Sequence, residues 1–198
     1  MAGISAILIA AGESTRMGQP KPLLPWQGKT LVEYHIATLI ECGVQEIVVV
    51  LGHQYSQVVP YVRGSGVKSV INTQYQQGKT TSIKAGLRSV SRSAGSVLLL
   101  AVDQPRPMEI VDKLIREHRE TGALITAPRH KGHGGHPLIF SMALKAELEK
   151  ISEGRLGIRE VMEAHKGEVR WIDFDSPIVR LDINDPQSYE EAKKLFGN

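Results

Sequence analysis

Ile7-Leu8-Ile9-Ala10-Ala11-Gly12-Glu13-Ser14-Thr15-Arg16-Met17-Gly18-Gln19-Pro20-Lys21 is the stretch on which the reading of this chain turns. A short apolar run, Ile4 with Ala6 to Ile9, has the composition of a strand buried on both faces. It stops at the small residues Ala10-Ala11-Gly12 and passes into a polar loop that carries Arg16 and Lys21. Small residues let the backbone come close to a ligand, and successive N–H groups cradle phosphate oxygens. Arg adds a planar fork suited to phosphate, and Lys a compact charge. An ordinary strand-to-helix turn with solvated cations explains Gly12 alone equally well. Two cations within nine residues of that Gly favour a phosphate-binding loop at the carboxyl end of a first strand.

Two better-known phosphate loops are excluded. The dinucleotide fingerprint needs glycines spaced G-x-G-x-x-G, whereas Gly12 is followed next by Gly18. A Walker A loop needs G-x-x-x-x-G-K-[ST]. Gly78-Lys79-Thr80 and Gly28-Lys29-Thr30 have its ending, but Thr73 and Leu23 stand where the first Gly is required.

A chain of 198 residues suits about one domain and is long enough to bury a core without disulfides. Its apolar share of 41% and charged share of 23% are those of a globular protein. The single cysteine, Cys42, excludes an internal disulfide, and its apolar helical surroundings favour a buried thiol over a nucleophile. A net charge of +3 without a dense basic run argues against nucleic acid and suits an anionic small molecule. No apolar run approaches the roughly 18 residues of a membrane span and no signal peptide is recognisable, so a cytoplasmic location without membrane contact is expected.

Along the chain, Thr30 with Glu33 forms the pattern of a capping box ahead of a helix carrying Leu31, Val32, Ile36, Leu39 and Ile40. Strands are expected at Ile47–Leu51, Val67–Ile71, Val97–Val102 and Leu124–Ala127, with helices through Val58–Val62, Lys79–Val90 and Ile110–His118. This alternation predicts a mostly parallel sheet with helices on both faces, a three-layer α/β fold. Residues 1–127 read as the nucleotide-binding part and 128–198, less regular, as the substrate-facing part of one domain. Asp185-Pro186 reads as the N-cap and first position of a final helix.

Asp103 follows Leu98 to Val102 and so lies at a carboxyl strand end, where ligands of doubly wound sheets lie. A carboxylate there can hold Mg²⁺, though an Asp before Pro105 also serves as a turn former. Asn72 offers an amide able to read a base or ribose edge, Gly78 permits close approach, and Ser82 falls one helical turn into the helix that begins there; a capped loop-to-helix junction explains the same residues. His130, His133 and His136 lie within seven residues, but on a Gly-rich loop with no acid in it, a poor preparation for zinc.

The run Ala10-Ala11-Gly12-x-Ser14-x-Arg16-Met17-Gly18-x-x-Lys21-x-Leu23-Leu24-Pro25 resembles the signature loop of the molybdenum-cofactor nucleotidyltransferases, and most of all that of the molybdenum cofactor cytidylyltransferases. The similarity extends from Ile4 to about Pro186. It implies a Rossmann-like nucleotidyltransferase fold in which this loop binds the nucleoside triphosphate, with Ala10, Ala11, Gly12, Arg16 and Lys21 in contact with it. Asp103-Gln104-Pro105 is similar to the family's Asp-x-Pro motif, which implies that Asp103 binds Mg²⁺; Arg16, Lys21 and Asp103 are then the catalytic set. Asn72, Gly78 and Ser82 match a segment that lies beside the nucleotide. Gly134-Gly135-His136-Pro137 resembles the substrate loop that receives the pterin, and Arg159 matches a residue suited to the substrate's phosphate, although Arg155 stands where an acid is usual. Asp182-Ile183-Asn184-Asp185-Pro186 resembles an Asp-Ile-Asp-Thr-Pro segment, implying Asp182 as a second metal ligand with Asn184 replacing an acid.

The resemblance implies transfer of CMP from CTP to the phosphate of molybdenum cofactor with loss of pyrophosphate. Ala10-Ala11 favours CTP, since guanylyl relatives tend to carry Gly-Gly there. Guanylyl, adenylyl or sugar-phosphate transfer are the alternatives, as is a non-catalytic accessory that delivers cofactor to a molybdenum hydroxylase partner.

Overall fold

The computed structural model describes residues 3–197. In chain order the elements are β1 (Ile4–Ala10), β2 (Pro25–Trp26), β3 (Lys29–Thr30), α1 (Leu31–Glu41), β4 (Glu46–Leu51), α2 (Tyr55–Val58) and β5 (Val67–Ile71). There follow α3 (Lys79–Ser89), β6 (Ser96–Ala101), α4 (Met108–Thr121), β7 (Ile125–His130), β8 (His133–Gly134) and β9 (Leu138–Ser141). The chain ends with α5 (Lys145–Leu148), α6 (Ile158–Ala164), β10 (Val169–Asp173) and α7 (Pro186–Leu195).

Eight strands form one sheet, seven of them in the order β10-β7-β9-β6-β1-β4-β5 and β8 paired to β7; β2 and β3 make a separate hairpin. β1 pairs in parallel with β4 on one side and β6 on the other. The chain therefore winds outward through β4 and β5 and returns across β1 to start β6. That reversal opens a crevice at the carboxyl ends of β1 and β6, the position where such sheets take ligands.

Every residue of β1 is buried, and its side chains alternate between the two faces. Ile4, Ala6 and Leu8 join the core under α1 and α4, while Ile7 and Ile9 join the core under α3. Burying an aliphatic side chain contributes about 1.5–3 kcal/mol, so a strand used on both faces is the natural centre of the sheet. α3 lies so close to β1 that a Cβ on Gly86 would come within 2.5 Å of Ile7. The capping box at Thr30 and Glu33 is formed, as is a second one in which Asp185 and Ser188 start α7. Cys42 is buried, and burial pushes its thiol up to about 12.

The stretch after residue 128 departs from its expected irregularity. It supplies β8, β9 and β10, and β9 runs antiparallel between β6 and β7. The family resemblance of the Gly-His-Pro loop, which lies ahead of a strand, agrees with β9 at Leu138–Ser141, but its central, antiparallel place depends on partners about 15 and 40 residues earlier. Among the described residues, no helix is long and apolar enough to cross a membrane.

Candidate active site

The loop after β1 makes two single-turn helices, Thr15–Met17 and Lys21–Leu23, joined through Ser14. Ser14 adopts a left-handed backbone, and its hydroxyl accepts from the Lys21 N–H at 3.0 Å. That bond folds the loop back so that Lys21 faces the end of β6. Gly12 has no left-handed backbone, and a Cβ there would meet nothing within 4 Å. Internal packing does not demand glycine at this point; the room beside it belongs to the crevice.

Lys21 Nζ lies 3.0 Å from Asp103 Oδ2 and 3.5 Å from Asn184 Oδ1. The Asp182–Asn184 segment runs beside Asp103, with the Ile183 N–H donating to the Asp103 carbonyl at 2.8 Å. Gln104 reaches across with its amide to Asp182 Oδ1 at 2.8 Å while accepting from the Ala101 N–H. Three segments far apart in the chain thus place the Asp103 carboxylate and the Asn184 amide oxygen against one ammonium, with the Asp182 carboxylate held next to Asp103 through Gln104. Oxygen donors of this kind fit a hard divalent cation that completes its shell with phosphate oxygens and water. Among the described residues, no group of three or more His, Cys, Asp or Glu side chains converges, so Asp103, Asp182 and the Asn184 amide are the donors this site offers.

Arg106 lies beneath both acids and is 0% exposed. Its guanidinium donates to four backbone carbonyls: His136 at 2.8 Å, Pro105 at 2.8 Å, Leu181 at 2.9 Å and Val179 at 3.0 Å. Burial lowers its pKa to about 10, partly offset by Asp182 and Asp103, so it stays charged at neutral pH. This one side chain ties the Asp103 turn, the His136 loop and the Asp182 segment together. His35 adds a further support: burial holds it neutral, at about 4, and its Nε2–H donates to the Val102 carbonyl at 2.9 Å.

Two cavities share this floor. One of about 230 Å³ is lined by Ala10, Ala11, Gly12, Lys21, Ser82 and Asp103, with Gly78 and Tyr75 also on its wall. The other, about 440 Å³, is lined by His136, Arg159, Asp182, Gln104, Glu153 and Leu156 among others. Ile9, Lys79 and Ala101 border both.

The remaining residues singled out in the sequence fall in different places. Arg16 is exposed on the rim, close enough to Asp185 to help hold that carboxyl low, after the larger effect of the Ser188 hydrogen bonds. Asn72 is buried behind the smaller cavity; its amide donates to Thr81 Oγ1 at 2.9 Å and Ser82 Oγ at 3.0 Å and accepts from the Gln74 N–H. It shapes the start of α3. Of the Gly134–Pro137 loop, His136 lines the larger cavity, whereas Gly135 packs against the Val179 carbonyl. His136 is held neutral, at about 3, first by burial and then by the charges of Lys79 and Arg106. His130 is turned to the Phe174 carbonyl at 2.9 Å, away from His136's cavity.

Arg106, Gln104, Lys79 and Glu153 were not read as site residues from the sequence. Glu153 Oε1 accepts from the Thr80 N–H at 2.7 Å and so occupies the start of α3. Gly78 is needed there, with a φ of +114° and no room for a Cβ against Glu153. Arg106 carried one signal, an arginine between Pro105 and Pro107 leading into an apolar helix; its buried partners are all backbone, which a sequence does not display.

A loop of small residues and a lysine, an acid just past the adjoining strand end and paired cavities make up this candidate site. The chain belongs to the MobA-like NTP transferase domain family, whose model matches residues 6–169. It is 28% identical over 199 aligned residues to a molybdenum cofactor cytidylyltransferase of Escherichia coli K12, covering 99% of this chain and 98% of that one. It is 29% identical over 189 residues to a protein named nicotine blue oxidoreductase from Paenarthrobacter nicotinovorans, covering 91% of this chain and 92% of the other. Among solved structures, a nucleotidyl transferase from Methanothermobacter shares the fold at a TM-score of 0.83 and 24% identity, covering all of both chains.

Proposed function

We propose that this protein transfers CMP from CTP to the phosphate of molybdenum cofactor and releases pyrophosphate. The observation that carries this reading is the pair of cavities meeting at the ends of β1 and β6, one walled by the Ala10–Lys21 loop and Asp103, the other by His136, Arg159 and Asp182. The smaller cavity takes the nucleotide and the larger the pterin phosphate. Ala10-Ala11, where guanylyl relatives tend to carry Gly-Gly, and the likeness to a cytidylyltransferase along nearly the whole chain support CTP.

In this mechanism an acceptor phosphate oxygen attacks the α-phosphorus in line. The bond from the α-phosphorus to the bridging oxygen breaks, and its electron pair leaves with pyrophosphate. The acceptor is already ionised at neutral pH, so no protein nucleophile is required. Lys21 leaves Asp103 to neutralise the triphosphate, and Arg16 closes from the rim onto the departing phosphates. Mg²⁺, held by Asp103 and Asp182 with the Asn184 oxygen nearby, would supply charge neutralisation and orientation of phosphate oxygens. Neutral His136 serves as a hydrogen-bonding wall, and Arg159 pairs with acceptor charge.

The alternative of a non-catalytic delivery protein draws on the replacements at positions 155 and 184. Asn184 nevertheless keeps an oxygen within 3.5 Å of Lys21, a donor a metal can still use. Pyrophosphate release measured with molybdenum cofactor, Mg²⁺ and CTP, GTP or ATP in separate reactions tests the reading. Turnover with CTP is expected; preference for GTP or ATP, or nucleotide binding without release, contradicts it.

A further inference from the structure

We propose that Lys79 is a catalytic residue that contacts the acceptor's phosphate as it meets the α-phosphate, and that it makes the larger cavity selective for phosphomonoester acceptors. The inference rests on the transferase reading above. Ile9, Lys79 and Ala101 are the residues that border both cavities, and Lys79 alone among them carries charge. Two anions must approach one another at that border. The other cations sit elsewhere: Lys21 on the nucleotide side against Asp103, Arg159 on the acceptor side, and Arg106 fully committed to backbone carbonyls.

The local physics points the same way. Lys79 occupies the first position of the eleven-residue α3, where the helix dipole disfavours a cation. Among the described residues it makes no side-chain hydrogen bond or ion pair within 4 Å, unlike Lys21 and Lys68. The nearby Thr80 N–H is taken by Glu153, whereas among the described residues the Lys79 ammonium has no partner to hold it from an incoming anion. Its charge already reaches His136 across the acceptor cavity, where it is the largest influence after burial in keeping that imidazole neutral. An exposed lysine at an electrostatically unfavourable helix position, bordering both cavities, is explained by a ligand that brings negative charge.

The test compares wild type with Lys79→Met and Lys79→Arg. With CTP and molybdenum cofactor, Lys79→Met is expected to lower kcat about a hundredfold, the usual loss for one transition-state donor, and to leave the KM for CTP within about threefold. Lys79→Arg restores at least about a tenth of the rate, and Lys79→Met melts at or above the wild-type temperature, because a cation leaves the helix N-terminus. Wild-type kcat in Lys79→Met overturns the proposal. If the wild type turns over no CTP, the transfer reading itself fails, and Lys79 is judged by binding alone. Inorganic phosphate is titrated into protein saturated with a CTP analogue carrying a methylene bridge between its α and β phosphorus atoms. Phosphate binding that weakens about tenfold or more in Lys79→Met supports an acceptor-phosphate contact, and equal binding in both proteins overturns it.

Discussion

Lys21 Nζ sits 3.0 Å from Asp103 Oδ2, joining residues 82 positions apart across the mouth of the crevice. The pair is only partly shielded, with the side chains 13% and 28% exposed. An ion pair of this kind contributes at most about 1 kcal/mol to stability. It fixes the loop where a phosphate is to be met, and the ammonium stands among oxygen donors suited to a divalent cation. Lys21→Ala and Asp103→Ala are therefore expected to lower turnover about a hundredfold or more while unfolding within about 1 kcal/mol of wild type. Urea denaturation beside steady-state kinetics checks this; a large stability loss with turnover intact would show the pair to be structural.

Arg106 is the reverse case. Four carbonyls lose their donor when it is replaced, and a buried unpaired carbonyl costs about 1–3 kcal/mol. Arg106→Met is expected to destabilise the protein by about 3 kcal/mol or more. Arg106→Lys recovers little, because one ammonium cannot reproduce a fork that binds Pro105, His136, Val179 and Leu181 together. Chemical denaturation reads both variants, and near-wild-type stability in either contradicts the assigned role.

Gly78 and Glu153 form a coupled pair at the start of α3. Gly78→Ala places a Cβ within 2.4 Å of Glu153 on a backbone of φ +114°, and should cost about 1–3 kcal/mol. Glu153→Ala alone removes a partner of the Thr80 N–H and costs about 1 kcal/mol. The double variant is expected to lose less than the sum, since the collision disappears while the backbone strain stays. Strict additivity in a double-mutant cycle rejects the contact.

Three buried histidines make stability fall on the acid side. Burial lowers His35 and His118 to about 4 and His136 to about 3. Below an unfolded value near 6.5 the unfolded chain binds protons that these folded imidazoles refuse, so each removes about 1.4 kcal/mol per pH unit until its folded pKa is reached. His165 acts in the opposite sense: Glu168 and Glu147 raise its pKa, so its contribution is full below the unfolded value and fades as pH rises. His118, which bridges Thr126 and Ser96, gives the clean test. His118→Gln should reduce the slope of stability against pH between about 4 and 6.5 by one proton. An unchanged slope contradicts the neutral assignment.

The longer strands and helices up to residue 127 were legible because each carries its own period: β1 as an apolar run, α1 with its capping box, β6 leading to Asp103. The two-residue strands β2 and β3 are too short to show one, and the helix expected through Val58–Val62 is α2 at Tyr55–Val58 followed by a single turn. That Ala10, Ala11, Gly12 and Lys21 would lie together at a strand end was legible because they sit in one short segment, and they line one cavity with Asp103. What escaped is long-range. The resemblance of His136-Pro137 to a loop ahead of a strand points to Leu138–Phe140 as that strand, but nothing local announces that it inserts antiparallel between β6 and β7. Arg106 and Glu153 act through backbone groups brought close only by the fold, and Asn72, polar and loop-borne, turned out to spend its amide on Thr81, Ser82 and Gln74.

The most direct measurement is the mass of molybdenum cofactor recovered after incubation with CTP, Mg²⁺ and wild-type protein, beside the same reaction with Asp103→Ala. Cytidylyl transfer predicts a cofactor heavier by one CMP unit, joined through a diphosphate, together with free pyrophosphate, and neither product in the variant. Unmodified cofactor from the wild type, or equal modification by Asp103→Ala, would contradict the account.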